Sequence, residues 1–264
     1  MEFENKLERD CINEFMKQGY VIKNIQNLNS LNWINEEFRQ IIQKILPIKN
    51  LYNNNDQDIF NQIHKHVKPK NLNNFRLKIF SEINKKKHFK YHYYKIAKEY
   101  LDILVGNELA IQSRINLSVQ LPNDKSSLLP FHADTWSGVS PYEIVVWLPL
   151  VDCFNTKSMY FYDLNKMSSL KKFFKNKSFS SSKIFNLLKK NVKFLKVKFG
   201  QVLIFDQSIP HGNVVNNEKE TRWSMNCRFK GIFTPYADKR LGEFFEPISL
   251  KPISIKALKY KHPK

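Results

Sequence analysis

The residues best suited to chemistry lie in two short stretches, FHADTW at 131–136 and IPHGNVV at 209–215. His132 and Asp134 are two apart, and extended backbone sends alternate side chains to the same side, so an imidazole and a carboxylate converge. His211, which follows the apolar run VLIF at 202–205, supplies a second imidazole. Two neutral imidazoles and one carboxylate form the facial set that holds ferrous iron and leaves positions open for a co-substrate and dioxygen. A lone His-x-Asp is common by chance. What singles out this one is its place at the end of one strand-like segment, with His211 just past another.

A second constellation follows. Arg222 and Ser224 are two apart, so in a strand a guanidinium and a hydroxyl reach the same carboxylate, and the guanidinium fork fits it in bidentate fashion. That pairing suits the distal carboxylate of 2-oxoglutarate. Asn226 and Arg228 continue the same period, and Arg228 is a competing anchor that spacing alone does not exclude. Residues 111–121, IQSRINLSVQL, alternate between apolar and polar, placing Asn116, Gln112 and Arg114 on a face that lines a pocket or meets solvent. Trp136 and Tyr142 follow the first ligands and face a substrate or pack the mouth, since aromatic rings stack on sugars. His88 with His92, and His64 with His66, read as solvated surface. Asp152 and Asp206 read as structural hydrogen-bond acceptors.

Positioning these groups requires a mixed fold. Apolar spacing predicts helices over 3–18 (stopped by Gly19), from a cap at Asn29 or Ser30 to before Pro47, near 57–65, over 71–84, and over 89–104 as one helix ended by Gly106. The rest of 48–69 reads as loop. Strands are expected at 20–22, 111–121, 129–134, 143–150, 158–163, 194–198, 201–206, 211–216 and 222–230. The expected fold class is α+β: a double-stranded β-helix (jelly-roll, cupin-like) core with N-terminal helices packed outside. The expected division is one domain over 1–264, with helical support over 1–106, a core over 107–235 carrying a helical, Lys-rich insertion at 164–191, and a basic tail over 236–264.

Composition narrows the classes. With 42% hydrophobic and 14% aromatic residues the chain is too apolar for a disordered protein. No apolar run reaches the roughly 18 residues of a membrane span, and the N-terminus has no apolar signal core, so a soluble, cytoplasmic protein is expected. Cys11, Cys153 and Cys227 are too scattered for a disulfide framework and read as free thiols. The net charge of +19 accompanies abundant Asn and Ile, a pattern that proteome-wide bias produces without function. It is uneven all the same: 166–198 holds eleven Lys and no acid. A small-molecule substrate that is anionic or phosphorylated fits this charge; nucleic acid is the less favoured partner.

The chain resembles the iron(II)/2-oxoglutarate-dependent dioxygenases of the phytanoyl-CoA hydroxylase type. QGYVIKNI at 18–25, His132-Ala133-Asp134, His211 and Arg222-Trp223-Ser224 carry that resemblance. A narrower similarity, to oxygenases of aminoglycoside and surface-carbohydrate gene clusters, rests on 131–153, 155–161 and 210–236. The resemblance implies that His132, Asp134 and His211 bind Fe(2+), that Arg222 with Ser224 anchors 2-oxoglutarate, and that O2 is consumed in oxidising a substrate C–H bond. It also gives Asp134 a meaning, because related halogenases have Gly or Ala there; a retained Asp favours hydroxylation or desaturation. The rival readings are a nucleic-acid demethylase using the same iron chemistry and a non-catalytic carbohydrate-binding jelly roll.

Overall fold

The computed structural model describes residues 3–46, 56–171 and 181–262. Helix α1 (Lys6–Gln18) opens with a capping box between Asn5 and Glu8 and closes on Gly19, whose φ of 75° is one that a glycine adopts without strain. A Cβ at Gly19 would lie 2.6 Å from the Ile209 side chain, two residues before His211, so the tight turn also sets how closely α1 approaches the second iron-type stretch. Helix α2 (Leu28–Ile45) is capped by Asn27, which accepts from the Ser30 N–H, so the cap lies two residues before the earliest position expected. Pro47 and 48–55 lie outside the described residues. Helices α3 (Asp56–Gln62) and α4 (Pro69–Lys85) follow. The helix expected over 89–104 is two, α5 (Phe89–Lys95) and α6 (Lys98–Leu104), broken at Ile96-Ala97, both of which are buried.

The strands form two antiparallel sheets. The larger has the order β1 (Tyr20–Asn24), β7 (Gln201–Asp206), β4 (Glu143–Pro149), β9 (Arg222–Gly231), β2 (Leu109–Gln112), β10 (Phe245–Ser249), with β3 (Asn116–Gln120) also paired to β9. The smaller is β6 (Val192–Phe194), β5 (Tyr160–Tyr162), β8 (His211–Gly212). Four expectations are corrected. Residues 111–121 are two strands, because Ile111 opposes Phe229 while Asn116 opposes Asn226: five steps on one side match three on β9, and the extruded segment carries Arg114 to solvent. Residues 129–134 form no strand beyond a single bridge, and 211–216 is reduced to two residues. The sheet does not end at 235, since β10 pairs with β2 and a helix, α8 (Pro252–Leu258), follows within the expected tail. In the insertion, the described parts are helical: a 3-10 stretch over Leu164–Leu170, then α7 (Ser181–Leu188). Residues 172–180 lie outside the described residues.

Strand β9 explains the arrangement best. Its odd members Trp223, Met225, Cys227 and Phe229 are fully buried, and its even members Arg222, Ser224, Asn226 and Arg228 face the opposite way, into the space between the sheets. On the helical side Trp223 makes edge-to-face contacts with Phe38, Phe60 and Phe75 and donates its indole N–H to the Phe60 carbonyl at 2.9 Å. Tyr93 of α5 donates to the Val146 carbonyl at 2.9 Å, tying a second helix to the sheet. Trp223→Ala is expected to cost about 3–5 kcal/mol, measured as a lowered urea midpoint. A loss below about 1 kcal/mol would mean that this aromatic cluster is not what holds the helices against β9.

Candidate metal and carboxylate site

The geometry starts with backbone pairing. His132 N–H donates to the His211 carbonyl at 3.0 Å and His211 N–H to the His132 carbonyl at 2.7 Å, a reciprocal bridge between segments remote in sequence. Ala133 is extended (φ −119°, ψ 141°), so His132 and Asp134 keep the two-residue relation although no strand surrounds them. Asp134 N–H donates to the Gln207 carbonyl at 3.0 Å, which pins the third member. The result is that one ligating atom each from His132, Asp134 and His211 lies within 4.8 Å of the others, and His132 Nε2 is 3.7 Å from Asp134 Oδ1. Gly212 is required beside His211, since a Cβ there would meet the Tyr160 hydroxyl at 2.5 Å and the Leu129 carbonyl at 2.8 Å.

The tautomers follow from the partners. His132 Nδ1 donates to the Pro130 carbonyl at 2.7 Å, and His211 Nδ1 to the Ile209 carbonyl at 2.8 Å. Both Nε2 atoms are thereby left as acceptors, the form in which imidazole binds a metal. Burial pushes the His211 ring down to about 4, with His132 adding to the shift and Asp134 opposing it, so the ring stays neutral. Burial works against ionisation of Asp134, yet the Arg228 guanidinium, by its charge and its hydrogen bond, outweighs it and holds the carboxyl below the usual range.

Arg228 is accordingly placed on the metal-type carboxylate. Its Nη2 is 3.0 Å from Asp134 Oδ2, and its Nε donates to Gln207 Oε1 at 3.1 Å, with Glu143 Oε2 at 3.8 Å. Asp134 is left with Oδ1 turned to the imidazoles. Gln207 and Glu143 are site-supporting residues that sequence reasoning missed, because their roles depend on register: Gln207 holds Asp134 by its carbonyl and Arg228 by its side chain.

Arg222 and Ser224 lie at the other end of the same face. Arg222 is fully buried and donates from Nη2 to Ser118 Oγ at 3.0 Å, but its Nε and the Ser224 hydroxyl have no hydrogen-bond partner. Burial alone lowers its pKa, and among the described residues no carboxylate pairs with it. A buried guanidinium and hydroxyl left half-satisfied on one wall are suited to an incoming carboxylate. His132, Asp134, His211, Arg228, Arg222 and Ser224 border one cavity of about 200 Å3, to which Asn116, Asn213 and Asn226 add polar wall and Val145, Trp147 and Phe205 apolar wall; Gln207 and Glu143 stand behind it.

Four of the sequence-stated pocket residues lie elsewhere. Gln112 accepts from the Arg228 backbone N–H at 3.3 Å and Arg114 is exposed, both because of the break between β2 and β3. Trp136 and Tyr142 are 40% and 56% exposed and do not border the cavity. His92 stacks on Trp33 at 4.1 Å and bonds Ser30, and His64 bonds Thr221, so neither is merely solvated. Asp152 and Asp206 accept backbone N–H groups, of Phe199 and Ser208.

No protein-family model matches the sequence, and no curated protein matches it either. Solved structures do. A non-heme monooxygenase, the ThoJ–nickel complex, superposes with a TM-score of 0.57 at 12% identity, over 91% of this chain and 84% of that one. HygX from Streptomyces hygroscopicus with nickel and 2-oxoglutarate bound gives 0.52 at 10%, over 88% and 90%. SnoK, a non-heme alpha-ketoglutarate-dependent carbocyclase from nogalamycin biosynthesis, gives 0.51 at 13%, over 94% and 98%. At these identities the likeness is one of fold.

Two outcomes are expected. Because the unfolded chain binds a proton at His211 near pH 6.5 and the folded chain does not until about pH 4, stability of the metal-free protein is fully present above about 6.5 and falls as pH drops towards 4. Thermal unfolding across that window should show a steeper decline for the natural protein than for His211→Asn, and equal slopes would contradict the buried neutral ring. Separately, Arg228→Gln should weaken nickel binding by about tenfold or more in calorimetry, within the 10–100-fold cost of losing a group that orients a ligand.

Proposed function

We propose that this chain is an iron(II)/2-oxoglutarate-dependent oxygenase. The observation that carries the reading is a single cavity with His132, Asp134 and His211 converging at one end and the half-satisfied Arg222–Ser224 pair at the other. The donor set fits ferrous iron: two imidazoles fixed as acceptors at Nε2 and one carboxylate held at its second oxygen by Arg228. Iron and 2-oxoglutarate, when bound, supply the means of using O2 to oxidise a C–H bond. The chain's own residues bind and orient. Arg222 and Ser224 take the distal carboxylate, Ser118 fixes the guanidinium, and Arg228 with Gln207 keeps Asp134 turned to the metal. Val145, Phe205 and Met159 line the remaining wall and limit water.

Finer points belong to the same reading. The two sheets are taken as the layers of a jelly roll, and the phytanoyl-CoA hydroxylase type is the best match for the sequence motifs. The substrate is taken as a small polar metabolite, a sugar, nucleotide sugar or aminocyclitol, in carbohydrate or natural-product biosynthesis. The polar pair Asn116 and Asn226, which borders both this cavity and the opening beside it, supports it, as does a neighbour named for a natural-product pathway. A retained Asp134 supports hydroxylation or desaturation.

Anaerobic titration with ferrous iron and 2-oxoglutarate should give a metal-to-ligand absorption band, abolished by His132→Ala, and no band in the natural protein would sink the reading. Arg222→Gln should raise the 2-oxoglutarate Kd by about 30-fold or more, the equivalent of about 2 kcal/mol for a buried charge pair. Succinate release across a panel of nucleotide sugars then tests the substrate class.

A further inference from the structure

A cavity of about 200 Å3 is below the roughly 300–1,000 Å3 of typical ligand sites, so a diacid seated on Arg222 and Ser224 leaves no room for a second molecule. The body of any substrate has to lie outside it. Adjoining it is a groove of about 520 Å3 along the edge of β3 that β9 does not cover, and the two spaces share Asn116, Ser118, Leu129 and Asn226.

The groove is built firmly. On one bank, α4 is fixed to β3 by Asn84, whose side chain bonds both the N–H and the carbonyl of Ile115, and by Arg76, which donates to the Leu117 carbonyl at 3.4 Å. On the other, residues 126–129 are held by Asp124, which accepts from the Ser126 N–H and hydroxyl, and by Asn213, which accepts from the Leu129 N–H at 2.6 Å and donates to the Ser127 carbonyl at 3.1 Å. Leu77 on the first bank and Leu128 and Leu129 on the second are 46%, 39% and 49% exposed across the opening, a cost in water that an apolar occupant would relieve. Among the described residues no acidic side chain lines the groove. Among the described residues its one cation is Arg76, which bonds the Asn73 side chain at 2.8 Å and has no carboxylate partner there.

We propose that this groove is the substrate site and that it takes an amphipathic anion. The group to be oxidised enters over the hydrogen-bonded Asn116–Asn226 pair, the apolar segment lies between Leu77 and Leu128–Leu129, and a carboxylate or phosphate sits on Arg76. Asn226 lies on β9 between Ser224 and Arg228, so this entry leads to the stretch of wall between the proposed co-substrate anchor and Asp134. The inference rests on the oxygenase reading and sharpens its substrate: the polar, reacting end carries an apolar segment and an anion. An alkyl phosphate and a nucleoside phosphate both supply that chemistry.

The test is calorimetry on the full chain, with and without nickel and 2-oxoglutarate, using octyl phosphate and uridine monophosphate against the neutral controls octanol and uridine. At least one anionic probe should bind more tightly than its neutral control. Arg76→Gln should weaken that probe by about fivefold or more and leave the neutral control unchanged. Leu77→Ser should weaken it as well. Octyl phosphate alone binding assigns an alkyl chain, and uridine monophosphate alone assigns a nucleoside. Binding of neither, neutral controls as tight as anions, or indifference to Arg76→Gln would overturn the proposal. Failure to take up nickel and 2-oxoglutarate would instead count against the oxygenase reading, and probe binding to the groove is read independently in the metal-free protein.

Discussion

Everything at the site depends on two backbone hydrogen bonds, those exchanged by His132 and His211. Neither residue sits in a long strand, so no ladder fixes their relation; the pair is its own register mark. A slip of one residue on either side would turn an imidazole away, because alternate residues point to opposite faces. The features around the bridge read as protection of that register. Gly212 lets the neighbouring Tyr160 hydroxyl and Leu129 carbonyl close in, both Nδ1 atoms bond a carbonyl two residues back in their own segment, and Asp134 is tied to Gln207 immediately after β7.

Strand β9 turns this local fix into a site with two ends. Its apolar face is covered by Phe38, Phe60 and Phe75 through Trp223, and that burial offsets the placement of two guanidiniums on its other face. The two arginines meet different conditions. Arg228 is compensated by Asp134 and approached by Glu143, whereas Arg222 has, among the described residues, a hydroxyl and no charged partner. Chemically similar side chains six residues apart thus divide into one that organises a carboxylate of the protein and one left half-satisfied, which under the proposed reading meets a carboxylate from outside.

The sequence made the main pattern readable where periodicity was unbroken. The β9 alternation placed Arg222, Ser224, Asn226 and Arg228 on one face, α1 ended at Gly19, and β7 lay where its apolar run indicated. Legibility failed where tertiary pairing overrode pattern. Residues 111–121 alternate almost as one strand but split so that β2 and β3 can both pair with β9, and this moved Arg114 out of the site. The His132–Asp134 relation survived for a reason the sequence did not show: Ala133 is extended without belonging to a strand. The choice between Arg222 and Arg228 was open because it depends on what stands opposite each, and Asp134 and Gln207 come from segments far away in the chain. Strand β10 was hidden in a stretch whose lysines suggested a solvated tail.

An unpaired, buried Arg222 is costly to the folded protein, since desolvation of a guanidinium without a counter-ion is not recovered by a single hydroxyl contact. Folding pays that cost through the aromatic packing behind β9, in a strand whose odd residues from Trp223 to Phe229 are all buried. The gain comes on binding. A guanidinium already dehydrated and already fixed by Ser118 needs little further ordering to meet a carboxylate, so less of the interaction is spent on desolvation and side-chain entropy when the ligand arrives. The same logic separates the cavity from the groove beside it. In the groove Arg76 is half-exposed and, among the described residues, held by neutral partners, whereas Arg222 is enclosed and fixed by Ser118; under the proposed reading the first sets an anion's orientation more than its affinity, and the second takes one carboxylate at one depth.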